Sequence, residues 1–228
     1  MPRRSLVAGV ALLAGLAAAC TEYHGIPIGP EPNTVGSGRF ISESRPVQSV
    51  TRVVASAGLR VRVTPSAGAS LDITAEDNIL PLVDSTERDG TLTLSWKAGA
   101  GGISAHGVEI RVGTSGLRGV DASSGSQIDV SGIAGNDFSV QLSGGAQWTG
   151  AGSVERLDLN ASGGSRITAP TLTAQTVAAK LSGGSSAFVR VVRSLAATVS
   201  GGSLLEFLGD PVVDANVADA SIVRRVGP

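Results

Sequence analysis

The sequence predicts an all-β protein, a right-handed parallel β-helix (a solenoid) built from one short repeated coil. Three observations predict this fold class. A unit of a small or apolar residue followed by Ser, Gly, Gly and Ser recurs every 18–20 residues. Apolar and polar residues alternate on both sides of this unit, and no stretch has the spacing of a long amphipathic helix. A fixed period of this length is the signature of a repeat architecture.

The second glycine of each Ser-Gly-Gly unit marks one repeat. The marker glycines are Gly125, Gly145, Gly164, Gly184 and Gly202. Glycine tolerates a positive φ and a close approach of stacked backbones, so we expect these residues to form tight corners with a structural role. The repeats cover about residues 120–226, where a last, eroded unit reads Ala218-Asp219-Ala220-Ser221.

Aligning the repeats on the marker glycine groups equivalent residues into columns. Apolar columns alternate with polar ones before and after the corner, so each unit is predicted to be strand, corner, strand. The polar column before the corner contains Asp121, Gln141, Asn160, Lys180 and Thr198, and its neighbour contains Gln127, Gln147, Arg166 and Ser186. Because crossovers between parallel strands are almost always right-handed, we expect a right-handed solenoid with flat polar faces.

The segment before the repeats also predicts short strands. Alternating runs occur at residues 59–63, 71–73, 92–96 and 108–112. Residues 78–84 fit a short helical turn, and Pro81 prevents a longer helix. We expect residues 39–228 to form a single β-helix domain.

The chain begins with the features of an export signal. Two arginines precede an apolar run, and three alanines lead to Cys20, the only cysteine. The run is too short to span a bilayer. It resembles a bacterial lipoprotein signal, in which residues 1–19 are removed and Cys20 is lipidated; an ordinary cleaved signal with an incidental cysteine is the alternative. Thr21, in place of Asp, favours the outer membrane.

Composition agrees with an exported solenoid. Residues 20–38 are rich in proline and glycine and predict a flexible tether. Only 3% of the residues are aromatic, which suits a thin interior. The net charge of −1 argues against a nucleic-acid partner.

An ordered set of features resembles the head GIN domain family, named for putative auto-transporter adhesins. The set contains Arg39-Phe40, Ala-Glu-Asp-Asn-Ile-Leu at 75–80, Asp-Gly-Thr-Leu-Thr-Leu at 89–94, and the Ser-Gly-Ser and Ser-Gly-Gly-Ser repeats. The resemblance covers about residues 38–226. It implies a right-handed β-helix on an exported bacterial protein, often lipid-anchored, without established enzymatic activity.

The alternative function is a carbohydrate-active β-helix enzyme, a polysaccharide lyase or hydrolase. Such chemistry needs carboxylates close together or a calcium cluster. The candidate acids are Asp121, Asp129, Asp137, Glu155, Asp158 and Glu206. No two of them share a column on adjacent coils. We therefore predict a non-enzymatic protein with no catalytic residues, cofactor or metal site.

A column of serines is the most ordered polar feature. It contains Ser126, Ser165, Ser185, Ser203 and Ser221. We expect these hydroxyls to bond to one another as a ladder along the axis. A nucleophile would need a base, and His106 lies in a glycine-flanked loop with no acid beside it. The serines are therefore interpreted as structural.

The remaining expectation is an interaction role. The polar faces suit an extended envelope polymer or a protein ligand, and the lipid at Cys20 would bind the membrane. Phe188, Leu204 and Ile222 are predicted to project outward, where they either cover a cap or mark a self-association patch. Arg225 replaces an apolar residue in the last repeat, as expected of a terminal cap.

Overall fold

The computed structural model describes residues 34–227, and these belong to one compact unit. The strands before the repeats are β1 (Thr34–Val35), β2 (Phe40–Arg45), β3 (Arg52–Ala55), β4 (Arg60–Pro65), β5 (Ser70–Glu76), β6 (Val83–Arg88), β7 (Thr91–Trp96), β8 (Ile103–Ser104) and β9 (Val108–Thr114). The strands of the repeats are β10 (Gly119–Ala122), β11 (Gln127–Leu142), β12 (Gln147–Ala161), β13 (Arg166–Leu181), β14 (Ser186–Val199), β15 (Leu204–Leu208), β16 (Val212–Val217) and β17 (Ile222–Arg225). The predicted helical turn is a 3-10 helix, Leu80–Leu82.

The repeats form a β-solenoid, as predicted. Strands β11 to β14 each bend around one coil and pair in parallel with the next. The pre-corner wall consists of β3, β10, the last residues of β11 to β14, and β16. The post-corner wall consists of β4, the first residues of β11 to β14, β15 and β17. A short third face joins the two walls, where Ile133 lies opposite Gly152.

The predicted apolar columns line the interior. Val120, Val140 and Leu159 are neighbours in register and are all buried. Side chains that alternate along a strand point to opposite faces, so one set fills the core while the other faces solvent. Gly150 interrupts an apolar column because the Trp148 ring occupies the space that its Cβ would need, at 2.4 Å.

The N-terminal half contains antiparallel pairs in addition to the parallel pairs of the predicted β-helix. β2 pairs antiparallel with β5, β5 with β9, and β6 with β7. The hairpin between β6 and β7 turns at Asp89 and Gly90, whose φ values are 49° and 76°. Two consecutive residues with positive φ reverse the chain tightly, so the next strand runs back along its neighbour.

The predicted tether also ends earlier than residue 38. β1 pairs with β8, and the Gly36 amide donates to the Ser104 carbonyl oxygen at 2.9 Å. Thr34 to Gly38 are therefore part of the folded domain. The predicted signal segment and Cys20 lie outside the described residues.

The last, eroded corner keeps the geometry of the others without their glycines. Asp219 and Ala220 both have a φ of 55°. The Gly202 amide donates to the Asp219 carbonyl oxygen at 2.9 Å, as the Gly184 amide does to Gly201. Arg225 lies opposite Phe207 and forms an ion pair with Asp210.

Candidate binding groove

A buried carboxylate joins three segments at the N-terminal half of the solenoid. Glu76 ends β5, and its side chain is fully buried. Its Oε1 accepts hydrogen bonds from the Gly38 amide at 2.9 Å and from His106 Nδ1 at 2.6 Å. Its Oε2 accepts from the His106 amide at 3.0 Å. Gly36 passes directly over this carboxylate, where a Cβ would lie 2.0 Å from Oε2.

The expectation that His106 has no acid beside it is wrong. Glu76 lies 30 residues earlier in the chain, and the pairing of β5 with β9 brings the two together. Burial alone raises the pKa of Glu76, but the hydrogen bonds from His106 and Gly38 and the nearby imidazole outweigh it, so the pKa lies below its ordinary value. Glu76 holds Nδ1 of His106, and the His106 side chain is 66% exposed. Its other ring nitrogen, Nε2, is therefore free to form a hydrogen bond with a ligand.

His106 lines a groove of about 830 Å³. We call it the aromatic groove; its lining includes Phe40, Arg60, Trp96, His106, Glu109 and Gln127. Phe40 is half-exposed, and its ring lies 3.7 Å from the Cβ position of Gly107. Trp96 is oriented by its indole N–H, which donates to the Ala57 carbonyl oxygen at 2.9 Å. Two aromatic rings are thus held at the groove surface.

Strand register sets the floor of the aromatic groove. Glu109, Arg60 and Gln127 are direct neighbours across β9, β4 and β11. Arg62 and Asp129 are neighbours in the next row. Arg62 also reaches Glu109 at 3.5 Å. Cationic, anionic and amide groups therefore alternate on a flat, open surface, with two arginines balanced by two acids.

The two polar columns predicted as neighbours lie on different walls. Gln141 and its column face outward on the pre-corner wall, whereas Gln147 and its column face outward on the post-corner wall. The Ser-Gly-Gly corner separates them, because the chain changes direction there. The pre-corner wall carries a second, shallower groove of about 540 Å³, whose lining includes Asn160 and Lys180.

The serine column is buried at the corners and does not form the expected ladder of hydroxyls. The Ser165 and Ser185 hydroxyls each donate to the carbonyl oxygen three residues earlier, at 2.7 and 2.8 Å. The Ser203 hydroxyl accepts from the Ser185 amide of the preceding coil at 3.2 Å. These hydroxyls bond to the backbone within and between coils, which is a structural role.

The five marker glycines all have positive φ, between 71° and 77°. A Cβ at any of them would meet nothing within 4 Å. The close approach of backbones occurs one residue earlier, where a Cβ on Gly201 would lie 2.8 Å from the Gly183 nitrogen. The two glycines of a corner are thus favoured for different reasons.

The candidate acids do not come together. Asp129 and Glu206 share a column but are separated by Thr149, Thr168 and Phe188. Asp121 is paired with Arg52 at 2.6 Å; burial raises its pKa, although Arg52 opposes that shift. Among residues 34–227, no cluster of His, Cys, Asp or Glu side chains is arranged to hold a metal ion. In the same range, no helix is long and apolar enough to cross a membrane.

Comparison with known proteins identifies the family. The model of the family described as "Putative auto-transporter adhesin, head GIN domain" matches residues 50–211, most of the chain. This chain belongs to the head GIN domain family. The match contains β3 to β15, and therefore the groove floor, His106 and all five marker glycines. No curated protein matches the sequence.

Solved structures share the head GIN fold of this chain. A crystal structure of a putative adhesin from Bacteroides fragilis gives a TM-score of 0.67 at 19% identity, covering 83% of this chain and 97% of that chain. A crystal structure of a putative adhesin from Parabacteroides merdae gives a TM-score of 0.52 at 17% identity, covering 86% of this chain and 99% of that chain. A crystal structure of a protein from Parabacteroides distasonis, described as a putative lipid binding protein, gives a TM-score of 0.54 at 13% identity, covering 86% of this chain and 100% of that chain. The solenoid fold of this chain is therefore shared by proteins of very low sequence identity to it.

Proposed function

We propose that this protein is a non-enzymatic adhesion protein of the bacterial cell envelope that binds an extended saccharide in the aromatic groove. Its export signal and Cys20 support a lipid anchor, and Thr21 supports the outer membrane. The head GIN family name and the similar adhesin structures support the adhesion role. The aromatic groove is the observation that carries the choice of ligand.

The chemistry of the groove matches a saccharide chain. A sugar ring has an apolar face of C–H groups and a rim of hydroxyls. Aromatic rings at a groove surface, here the half-exposed Phe40 and the partly buried Trp96, can pack against the C–H face. Arginine, carboxylate and amide groups on the floor can donate to or accept from the hydroxyls. Because the arginines and acids of the floor balance, we expect a neutral saccharide to bind better than a polyanionic one.

The alternative of a polysaccharide lyase or hydrolase is less well supported by this geometry. Glu109 and Asp129 are two strands and two residues apart, about 12 Å between Cα atoms from strand spacings. Glycosidase carboxyl groups lie roughly 5–9.5 Å apart, and from these Cα positions the two side chains would have to lean toward each other to reach that separation. Each of these acids also has an arginine as its direct neighbour in the floor, Arg60 beside Glu109 and Arg62 beside Asp129.

Intrinsic fluorescence gives a direct test. Trp148 is buried, so ligand in the groove should change the emission of Trp96 alone. We expect chitohexaose or cellohexaose to produce a saturable change, and hexagalacturonate to produce none. Phe40→Ala should weaken binding about tenfold, equivalent to about 1.4 kcal/mol.

Gln141→Ala, on the pre-corner wall, is the matched control and should leave the affinity unchanged. Absence of a saturable change with both neutral hexasaccharides up to about 10 mM would refute the saccharide proposal. Release of shorter saccharides by the native protein, lost in Asp129→Asn, would establish the enzyme instead.

A further inference from the structure

The C-terminal end of the solenoid is open. β16 pairs with β14 on one side, and within the described residues its other edge has no partner strand. Val213, Ala215 and Val217 continue the inward columns of Leu195, Ala197 and Val199. The β14 members of these columns are buried, yet Val213 and Val217 are 42% and 43% exposed. The interior of the solenoid therefore reaches solvent at this edge.

The N-terminal end, by contrast, is covered by the chain itself. The 3-10 helix and the residue before it place Ile79 and Leu80 in the core. The amides of Gln48 and Ser49 donate to the Glu87 carboxylate on β6, at 2.7 and 2.9 Å. An uncovered, apolar strand edge is a template for pairing with another strand. Among residues 34–227, the edge of β16 at the C-terminal end has no such cover, whereas the free outer edge of β2 carries the charged residues Glu43 and Arg45.

We propose that the free edge of β16 pairs with the same edge of a second copy, in a two-fold, tail-to-tail dimer. A two-fold axis perpendicular to the pre-corner wall makes the two β16 strands antiparallel and keeps inward side chains on the same side in both copies. The two solenoid interiors then become continuous. The occupant is a second copy because the edge is complementary to itself.

The sequence of β16 favours one of the two face-matched registers that pair five of its residues. In an antiparallel pair, directly opposed residues point to the same face of the sheet. The two-fold axis must therefore lie midway between one residue of β16 and the same residue of the second copy, so that this residue is opposed by itself. Centred on Ala215, the pairing places Val213 against Val217 of the second copy and Asp214 against Asn216 of the second copy. The Asn216 amide can donate to the Asp214 carboxylate there. Centring on Asp214 would instead oppose two aspartates, which is unfavourable.

The other free strand of this end is protected against pairing. β17 carries Arg224 and Arg225, which form ion pairs with Glu206 and Asp210. Charged side chains on an edge strand disfavour addition of another strand. The six residues of β16 are all exposed and include a single charge, Asp214. The contact is therefore centred on β16.

Light scattering and one introduced cysteine test the dimer. The full chain carrying Cys20→Ser has no other cysteine, and it should have twice the mass of one chain. Adding Ala215→Cys places the new residue opposite itself, within the Cα distance that a disulfide spans. Oxidation should give a covalent dimer on a non-reducing gel.

Two matched controls test which residues of the two β16 strands are opposed. Val213→Cys alone and Val217→Cys alone should not cross-link, whereas a mixture of the two should. Val213→Arg should return the mass to that of one chain with little change in thermal unfolding, since this side chain is already partly exposed. A single-chain mass for the Cys20→Ser protein at all concentrations, or equal cross-linking of all three single cysteines, would overturn the proposal.

A functional consequence rests on the proposed anchoring. The chain enters the solenoid at β1 and β2, in the half away from β16. Tail-to-tail pairing would therefore join copies anchored on facing surfaces. Beads coupled through the Cys20 thiol should clump with the native sequence and stay dispersed with Val213→Arg. Dispersed native beads together with a dimer in solution would refute bridging but leave the dimer intact.

Discussion

At the scale of single residues, the corner shows that two adjacent glycines meet different demands. Gly202 has a φ of +71° and open space where a Cβ would point, so a side chain adds backbone strain alone. Gly201 has a φ of +64° and a neighbouring backbone nitrogen at 2.8 Å from the Cβ position, so a side chain also displaces the adjoining coil.

This difference predicts unequal stability losses. Gly202→Ala should lower the free energy of unfolding by about 1 kcal/mol, because only the left-handed φ is unfavourable. Gly201→Ala should cost at least about 1 kcal/mol more, because the backbone must shift. Ala220→Gly, at the eroded corner, should stabilise the protein. Urea unfolding measures all three, and equal losses for the two glycine variants would contradict the assignment.

The contacts of the buried Glu76 carboxylate with Gly38 and His106 are expected to weaken in acid. The folded-state pKa of Glu76 lies below the ordinary value of 4.5, so it stabilises the fold above that pH. This contribution is lost as the pH falls from 4.5 through the lower folded-state pKa, and the contacts to Gly38 and His106 weaken. We expect the protection factors of the Gly38 and His106 amides, which compare their exchange rates with those of an unstructured chain at the same pH, to decrease in that range.

Glu76→Gln is the matched variant, since it keeps the shape and removes the charge. Its protection factors at Gly38 and His106 should already be low at neutral pH and should change little below 4.5. Identical pH profiles for the native protein and Glu76→Gln would show that another group controls these contacts.

At the scale of elements, one coil is the unit of folding. A single coil cannot bury its inward residues, and each of β11 to β14 gains that burial from its neighbours. Phe138 lies opposite Leu157, and Ser139 opposite Asp158, so residues 139–157 form one complete period.

Deleting one period should therefore be tolerated. Removal of residues 139–157 joins Phe138 to Asp158 with every column in register, and the protein should fold with reduced stability. Removal of residues 139–146 cuts part of a period, which turns inward residues toward solvent and should prevent folding. Circular dichroism and thermal melting measure the strand content and the melting temperature of both deletion variants. Equal losses in the two variants would contradict a solenoid built coil by coil.

At the scale of the whole molecule, the two ends of the solenoid have different structures. Antiparallel strands and a helical turn cover the N-terminal end, whereas the last coil ends in an uncovered strand. An end of a solenoid must face water or meet a partner. This asymmetry is the physical basis of the proposed tail-to-tail dimer.

Attachment to the envelope is also a property of the whole molecule. Cys20→Ser removes the proposed lipid site, and because stable anchoring needs more than one acyl chain, the variant should leave the membrane or remain unprocessed. Partitioning into detergent measures this, with Gln141→Ala as a variant that should stay anchored. Unchanged partitioning of Cys20→Ser would exclude the lipid anchor.

The sequence by itself determined the repeated part of this protein. The period, the alternating columns and the corner glycines depend on neighbours along the chain and between equivalent repeats, so alignment of the repeats placed Val140 beside Leu159 as the structure does. The outward positions of Leu204 and Ile222 follow from the same alternation. The family followed from the same repeats and the order of the preceding motifs.

Only the tertiary structure decided the aromatic groove and the antiparallel end. Glu76 meets His106, and Phe40 meets Gly107, through antiparallel pairing of β2, β5 and β9, for which residue spacing carries no signal. The placement of the polar columns on separate walls likewise depends on the direction that the chain takes after each corner. Repetition encodes contacts between equivalent residues, whereas contacts between unlike segments depend on how the chain closes in space.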